Sequence, residues 1–497
     1  MPTSRSVVIG VDSSTQSTKA VAVDADTGEL LAVGRAPHTV TGSAGARETD
    51  PEEWWSALVT AVRAAVRGAG VPAASVTGIA VAGQQHGLVT LGADGRPLRP
   101  ALLWNDTRSA PQAAALAARL GGPEAWPDRT GSVPVASMTA AKWQWLHEHE
   151  PERAAATTGV RLPHDFLTER LCGLAVTDPG DASGTCWYRP GDGTYDPDVL
   201  DLIALDSALL PAVAPGGADR VGTLTPAAAE ALGLPRTVAV AAGTGDNMAA
   251  AVGLGLGGAG LLDHPVVSLG TSGTVFAATR GRPADPALAG FAATDGTRLP
   301  LGCTLNCTLA VDRFATLLGL DREDARPGDG VVVLPYLDGE RTPDLPHAAG
   351  LVTGLRHGTD PRAILGAAYE GAAFTVLRAL DRLLGACGLD PAEPAVRDRP
   401  LRLIGGGARG ATWTETVRRL SGRPLVVPAA EELVALGAAA LAAGAVTGAD
   451  PVALATAWGT GAGEVLPPLT RDDATWDRVA GTLSAAAPAL LSGLERS

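Results

Sequence analysis

Two segments far apart in the chain repeat one plan, and that plan limits the fold. SVVIGVD (6–12) reads as a buried strand, SSTQS as a polar turn and KAVAVD (19–24) as a returning strand. PVVSLGTSGTVFAAT (265–279) again gives an apolar strand, a turn of Gly, Ser and Thr, and a second strand. After the first pair, GELLAVGRA adds a strand. A helix follows over 51–69, with Asp50 as N-cap and Pro51 at its start, and VTGIAVAG (76–83) supplies a fourth strand. After the second pair comes a helix over 361–387, a strand LRLIGGG (401–407) and a further helix. Two halves that open alike predict a duplicated α/β domain. The glycine-rich stretch GLGLGGAG (253–260) is the expected boundary, dividing the chain into 1–252 and 253–497.

A chain of 497 residues is expected to hold two or more domains, and 46% hydrophobic residues suit ordinary globular cores. The net charge of −14 argues against nucleic acid as a main partner, because that binding needs a basic footprint. A nucleotide site here must rely on local donors and a cation. No stretch approaches the ~20 apolar residues of a membrane span. MPTSRSVVIGVD passes directly into a strand, and the five cysteines are irregularly spaced; both predict a cytoplasmic protein with reduced thiols.

Three segments are suited to phosphate or nucleotide. In DSSTQSTK (12–19), small hydroxyl residues between strands present donors, and Asp12 is a hard oxygen ligand suited to Mg²⁺. SLGTSGT (268–274) is a second turn of the same type. Each also suits an ordinary hairpin. IGGGARG (404–410) opens a helix with bare backbone, fit for a flat or anionic group or for a plain flexible connection. EELVALGAAALA (431–442) offers a small-residue helix able to approach an adenine closely.

Other segments carry sugar-type chemistry. GQQHG (83–87) presents Gln84, Gln85 and His86 at a strand end. LLWNDTRS (102–109) gives Trp104 for stacking and Asn105, Asp106 and Arg108 for directed hydrogen bonds, the mixture usual in ligand pockets. In TVAVAAGTGDN, a glycine loop delivers Asp246 to a strand end ahead of a helix. DASGT (181–185) reads as a structural turn, GERTPD (339–344) as an exposed loop, and His147–Glu148–His149 as a solvated helix end. Cys303 and Cys307 lack the second pair that zinc needs.

Together these segments resemble the FGGY carbohydrate kinases, and within them the xylulokinases, nearly end to end. SMTAAKWQWLHEH (137–149) is similar to one family signature, with Lys142, Trp143 and Trp145 in place. GTGDN resembles the catalytic motif, DSSTQSTK and SLGTSGT the two phosphate motifs, and LIGGGARGATW the adenosine motif. The resemblance implies two RNase H-like, actin/hexokinase-type α/β domains flanking a cleft that closes about a hinge. The N-terminal one would bind sugar and the C-terminal one nucleotide. It implies catalysis by Asp246 as general base with Asp12, and Mg²⁺ on Asp12. It implies sugar contacts from Gln85, His86, Trp104, Asn105, Asp106 and Asp246. Nucleotide contacts would come from Ser14, Thr15, Gln16, Lys19, Gly270, Thr271, Ser272, Gly405, Gly406, Gly407 and Ala408. Gln85 stands where xylulokinases usually have Met, and Ala363 and Ile364 depart from the second family signature. The implied reaction is ATP-dependent phosphorylation of D-xylulose at O5. A kinase of another pentulose or a polyol is the nearest alternative, and a non-catalytic actin-like ATP switch or sugar sensor is the alternative of another class. The implied partners are the sugar and ATP, with no nucleic acid or membrane and a homodimer among the assemblies allowed.

Overall fold

A computed structural model of the chain describes residues 5–257, 262–294, 297–345 and 347–491. The chain forms two compact units. The first joins Met1–Ala259, Gly290–Leu299 and Ala430–Gly461; the second joins Gly260–Ala289, Pro300–Ala429 and Ala462–Ser497. The boundary expected in the stretch 253–260 divides the chain once, and 258–260 lie outside the described residues. The path is more interleaved than one cut, because the segment after residue 429 packs with the first unit.

The first unit is built on a mixed sheet. Strand Val7–Ser13 pairs antiparallel with Ser17–Asp24, which pairs antiparallel with Leu30–Pro37. On its other side it pairs parallel with Val76–Gly83, which is followed by Ala239–Ala241 and Arg220–Thr223. The short strand Thr244–Gly245 also pairs parallel with the end of Val76–Gly83. Both faces are covered, so the central strand Val7–Ser13 is buried throughout, and its run from Val7 to Val11 is apolar rather than alternating.

One face is covered by helix Pro51–Ala69. Asp50 caps it by accepting from Glu52 N, and Gly70 ends it with φ 64°. Trp54, Leu58, Ala61, Val62 and Ala65 recur at helical spacing and pack in the cluster with Ile9, Val11 and Ile79. Each such fully buried large aliphatic or aromatic side chain contributes about 1.5–3 kcal/mol. The other face is covered by helix Leu433–Thr447. A Cβ on Gly10 would lie 1.9 Å from Ala435 O, and one on Gly437 would lie 1.8 Å from Ala249 O. The small residues of 431–442 therefore serve backbone-close packing on strand Val7–Ser13 and helix Asp246–Gly253. They do not form an open adenine surface.

The second unit repeats the plan. Val266–Leu269 pairs antiparallel with Gly273–Phe276 and parallel with Leu401–Ile404. Arg298–Thr304 extends the sheet beyond Gly273–Phe276; Leu425–Pro428 and Gly463–Leu466 extend it beyond Leu401–Ile404. Helix Pro361–Ala386 fills the core with Leu365, Tyr369, Phe374, Leu377, Leu380 and Leu384. The sequence reads as having no stretch long enough to span a membrane, whereas this helix is long and apolar enough by length and composition; 89% of its most apolar 18-residue window is buried, as in a core helix. The strand expected over 401–407 stops at Ile404, because Gly405 turns with φ 87° into a short 3₁₀ helix, Gly406–Arg409. Strand, turn, antiparallel strand, then a parallel strand after a helix is common to both sheets. The fold is the two-domain RNase H-like α/β plan.

Candidate active site

The first unit's sheet brings three chain segments to one end. Asp12 is level with Ala82 and Ser13 with Gly83, while Thr244 is level with Ala82 and Gly245 with Gly83. Gln84 N then donates to Ser13 O at 3.0 Å. The DSSTQ turn, the QQH loop and the GTGDN loop thus leave the sheet side by side, where parallel α/β sheets bind ligands. Gly243 is required there, having φ 80° and a would-be Cβ 2.4 Å from Val81 O.

Asp246 is the first residue of helix Asp246–Gly253 and is half-buried. Its Oδ1 accepts from Asn247 N at 2.8 Å and from Asn247 Nδ2 at 3.2 Å. Burial, then the negative charges of Asp12 and Asp181, push its carboxyl up to about 7. A carboxylate of that proton affinity suits a general base at neutral pH.

Asp12 is buried. Its Oδ1 accepts from Ser14 Oγ at 2.5 Å, and its Oδ2 lies 3.7 Å from Lys19 Nζ. Lys19 is shared with Glu432, at 3.0 Å. Burial raises the Asp12 pKa against the opposing pull of Ser14 and Lys19. A buried carboxylate still short of positive charge is a fit partner for a hard cation. Ser14 and Thr15 are half-buried and Gln16 is exposed at the tip of the turn. Thr15 Oγ1 accepts from Trp104 Nε1 at 3.0 Å, which ties the exposed indole to this turn.

The QQH loop lies against these groups. Gln85 Oε1 accepts from Asn247 Nδ2 at 2.8 Å. Gln85 Nε2 and both amide atoms of Gln84 are buried with no hydrogen-bond partner among the described residues, as is Asn105 Oδ1. Native proteins rarely leave such groups unmatched without a ligand or water. His86 has φ 67°, donates from Nδ1 to Gly184 O at 2.7 Å, and holds its ring centroid 5.6 Å from that of Phe291.

Asp106, expected to contact sugar, is engaged by its own loop. It is buried and accepts from Arg47 N at 2.8 Å, from Arg108 N at 3.0 Å and from Arg108 Nη2 at 2.6 Å. Its oxygens are occupied in shaping the loop, and those donors hold its pKa low against burial. Arg108 in turn lies over the Trp145 ring at 4.4 Å. Lys142, from the signature segment, is fully buried and donates to Ala136 O at 3.0 Å and to Ser137 O. Burial brings its amine down to about 7.

Sequence reasoning missed a buried polar group beneath the site: His164, Asp165, Asp178 and Asp181. It also left out Asn247. The DASGT turn reads as structure alone from its sequence. The one available signal is charge, since the PHDFL segment sets His164 and Asp165 among apolar residues.

In the second unit, the SLGTSGT turn and the GGGAR segment sit at neighbouring strand ends. A Cβ on Gly405 would lie 2.6 Å from Leu269 O, and one on Gly407 would lie 2.8 Å from Leu269 Cβ. Gly270 O accepts from Thr308 N at 3.0 Å and from Thr308 Oγ1 at 2.8 Å, and Thr271 O accepts from Cys307 N at 3.2 Å. Thr271 is exposed and Ser272 half-buried; Gly405 and Gly406 are exposed, whereas Gly407 and Ala408 turn inward. Glu340 is not in an exposed loop as expected. It is buried and accepts from Leu305 N at 2.6 Å and Asn306 Nδ2 at 3.1 Å.

Comparison with known proteins bears on what these loops do. Residues 7–253 match the family model described as the FGGY family of carbohydrate kinases, N-terminal domain, and residues 266–446 match its C-terminal domain. The chain is 56% identical to a xylulose kinase of Streptomyces rubiginosus, over 98% of this chain and 98% of that protein. It is 57% identical to a xylulose kinase of Streptomyces coelicolor, over 97% of each. A solved structure of xylulose kinase from Bifidobacterium adolescentis, 32% identical, superposes with a TM-score of 0.79 and covers 96% of this chain and 99% of its own. With both family domains matched and relatives this similar over their full length, the chain belongs to the FGGY family of carbohydrate kinases.

Proposed function

We propose that this protein transfers the γ-phosphoryl group of ATP to O5 of D-xylulose, giving D-xylulose 5-phosphate and ADP. Support comes from the full-length similarity to proteins named xylulose kinase. The observation that carries the mechanism is the half-buried Asp246, at a strand-end glycine loop, with its carboxyl raised to about 7. Asp246 takes the O5 proton as that oxygen attacks phosphorus, help worth typically ~10²–10⁴-fold. The rest of the acceleration comes from alignment and charge neutralisation, since phosphoryl transfer leaves the protein little covalent work.

In this reading Gln85, His86, Trp104 and Asn105 bind the sugar, and Asp106 shapes the loop that carries two of them. Residues 1–252 supply the sugar site. Residues 253–497 supply most nucleotide contacts, from Gly270, Thr271, Ser272 and Gly405 to Ala408. Ser14, Thr15, Gln16 and Lys19 meet the phosphates from the first turn. Asp12 would hold Mg²⁺, which when bound neutralises phosphate charge. Initial rates with D-xylulose, L-xylulose, D-ribulose, L-ribulose and glycerol at fixed MgATP test the assignment. D-Xylulose should give the highest kcat/KM; a higher value for any other compound overturns the choice of sugar. Absence of sugar-dependent ADP release with all five overturns the kinase reading.

A further inference from the structure

One short stretch, 178–185, meets both the GTGDN loop and the QQH loop from beneath. Asp178 Oδ2 accepts from Thr244 Oγ1 at 2.8 Å, and Asp178 Oδ1 accepts from Asp181 N at 2.9 Å. Asp181 Oδ2 accepts from His164 Nδ1 at 2.6 Å. Asp181 Oδ1 has no hydrogen-bond partner among the described residues and lies 3.0 Å from where a Cβ on Gly245 would stand. Gly184 O receives the Nδ1 proton of His86. His164 itself fills the space under two more glycines: a Cβ on Gly83 would lie 2.8 Å from His164 N, and one on Gly243 3.2 Å from His164 Cδ2.

His164, Asp178, Asp181 and Thr244 are fully buried. Burying charge is costly even when paired, and apolar residues of similar volume fill such space at less cost. The arrangement therefore calls for a reason beyond packing. Asp246 is the residue next to Gly245, and the charged groups that act on it most strongly are Asp12 and Asp181, both acidic. A negative neighbour makes a carboxylate a stronger base.

We propose that Asp181, held by His164, is a positioning residue for phosphoryl transfer: its carboxylate braces the Gly245–Asp246 turn and turns a negative charge toward the Asp246 carboxyl. The proposal rests on the reading of Asp246 as the base. Asp181→Asn keeps the shape and removes the charge. It should lower kcat roughly 10- to 100-fold while the KM for ATP stays within about twofold. The acid limb of the kcat–pH profile should move to lower pH by about one unit, because loss of a negative neighbour lets Asp246 ionise more readily. A merely structural residue would change the melting temperature and leave that limb in place. His164→Gln is the second variant, and it should lower kcat without changing the KM for ATP. A folded Asp181→Asn enzyme with an unmoved acid limb overturns the proposal. Failure of both variants to fold also overturns it, since that assigns the pair to the core alone. Asp246→Asn run alongside separates the two readings. If Asp246→Asn is active, the base assignment has failed; if it is inactive while Asp181→Asn behaves as wild type, only the present inference has failed.

Discussion

Asn247 Nδ2 donates to Gln85 Oε1 at 2.8 Å, joining the loop that carries the acidic residue to the loop that carries His86. The same amide reaches Asp246 Oδ1 at 3.2 Å, so one side chain sets the direction of the carboxylate and the spacing of the two loops. A hydrogen bond to a charged group is worth about 1.5–3 kcal/mol and a neutral one about 1 kcal/mol. Asn247→Ala should therefore lower kcat for sugar phosphorylation by roughly 10-fold, with the KM for ATP little changed. Steady-state rates measured against both substrates check this, and an equal rise in both KM values would place Asn247 outside the sugar half of the reaction.

Asp246 gives a prediction in which activity and stability move in opposite directions. Its folded pKa of about 7 lies above the ordinary carboxylate value of 3.8. The stability it contributes is fully present below about 4 and is lost as pH rises through about 7, because the folded state then has to hold a buried charge. Catalysis needs that charged form, so kcat should rise with pH through the same region. Asp246→Asn should abolish sugar phosphorylation, leave ATP binding intact, and raise the melting temperature at pH 8 by about 2–4 °C, with a smaller gain at pH 4.5. Calorimetry at the two pH values with an ADP-release assay settles the point. An active variant, or one less stable than wild type at pH 8, contradicts it.

Much of this was legible from the sequence because it depends on local rules. The strand–turn–strand openings of both units, the helix at Pro51–Ala69 with its Asp50 cap, and the glycine loop before Asp246 follow from apolar runs, capping chemistry and turn residues. The interleaving of Ala430–Gly461 with the first unit was not legible. It depends on which sheet a stripe of alanine and glycine fits, and such a stripe fits any close backbone. The same limit applies to Asp106. A carboxylate beside an arginine looks alike whether it binds a sugar or braces its own loop, and only burial and partners decide. His164 and Asp181 lie 17 residues apart and meet only through the fold, so no local pattern announces their pairing.

His86 is fixed in a left-handed backbone conformation, φ 67°, with Nδ1 committed to Gly184 O. A non-glycine residue held there costs energy that the fold must supply, and such strain gathers at functional positions. His86→Ala should raise the KM for sugar by roughly 10-fold or more, since one or two directed hydrogen bonds are lost, and change the KM for ATP by less than about twofold. His86→Gly relieves the strain without restoring the ring, so it should be at least as stable as His86→Ala and equally weak for sugar. Comparable effects on both KM values in either variant would remove His86 from the sugar site.

The three consecutive glycines of the second unit differ in what surrounds them, and that difference separates folding from binding. Gly405 has φ 87° and a would-be Cβ 2.6 Å from the carbonyl oxygen of Leu269, whereas Gly406 has nothing within 4 Å of the same position. Gly405→Ala must shift backbone at the junction of two strands and should cost about 1–3 kcal/mol of stability. Gly406→Ala meets open space and should leave the melting temperature unchanged. If a flat nucleotide group lies against this bare backbone, the added methyl of Gly406→Ala stands in its way, and ATP affinity should fall by roughly 10-fold, the effect of about 1.4 kcal/mol. Isothermal titration with ATP on Gly406→Ala, together with sugar KM values, reads this directly. A Gly406→Ala enzyme with wild-type ATP affinity would show that the glycines serve only the turn from Ile404 into the 3₁₀ helix, and the adenosine assignment of this segment would have to be given up.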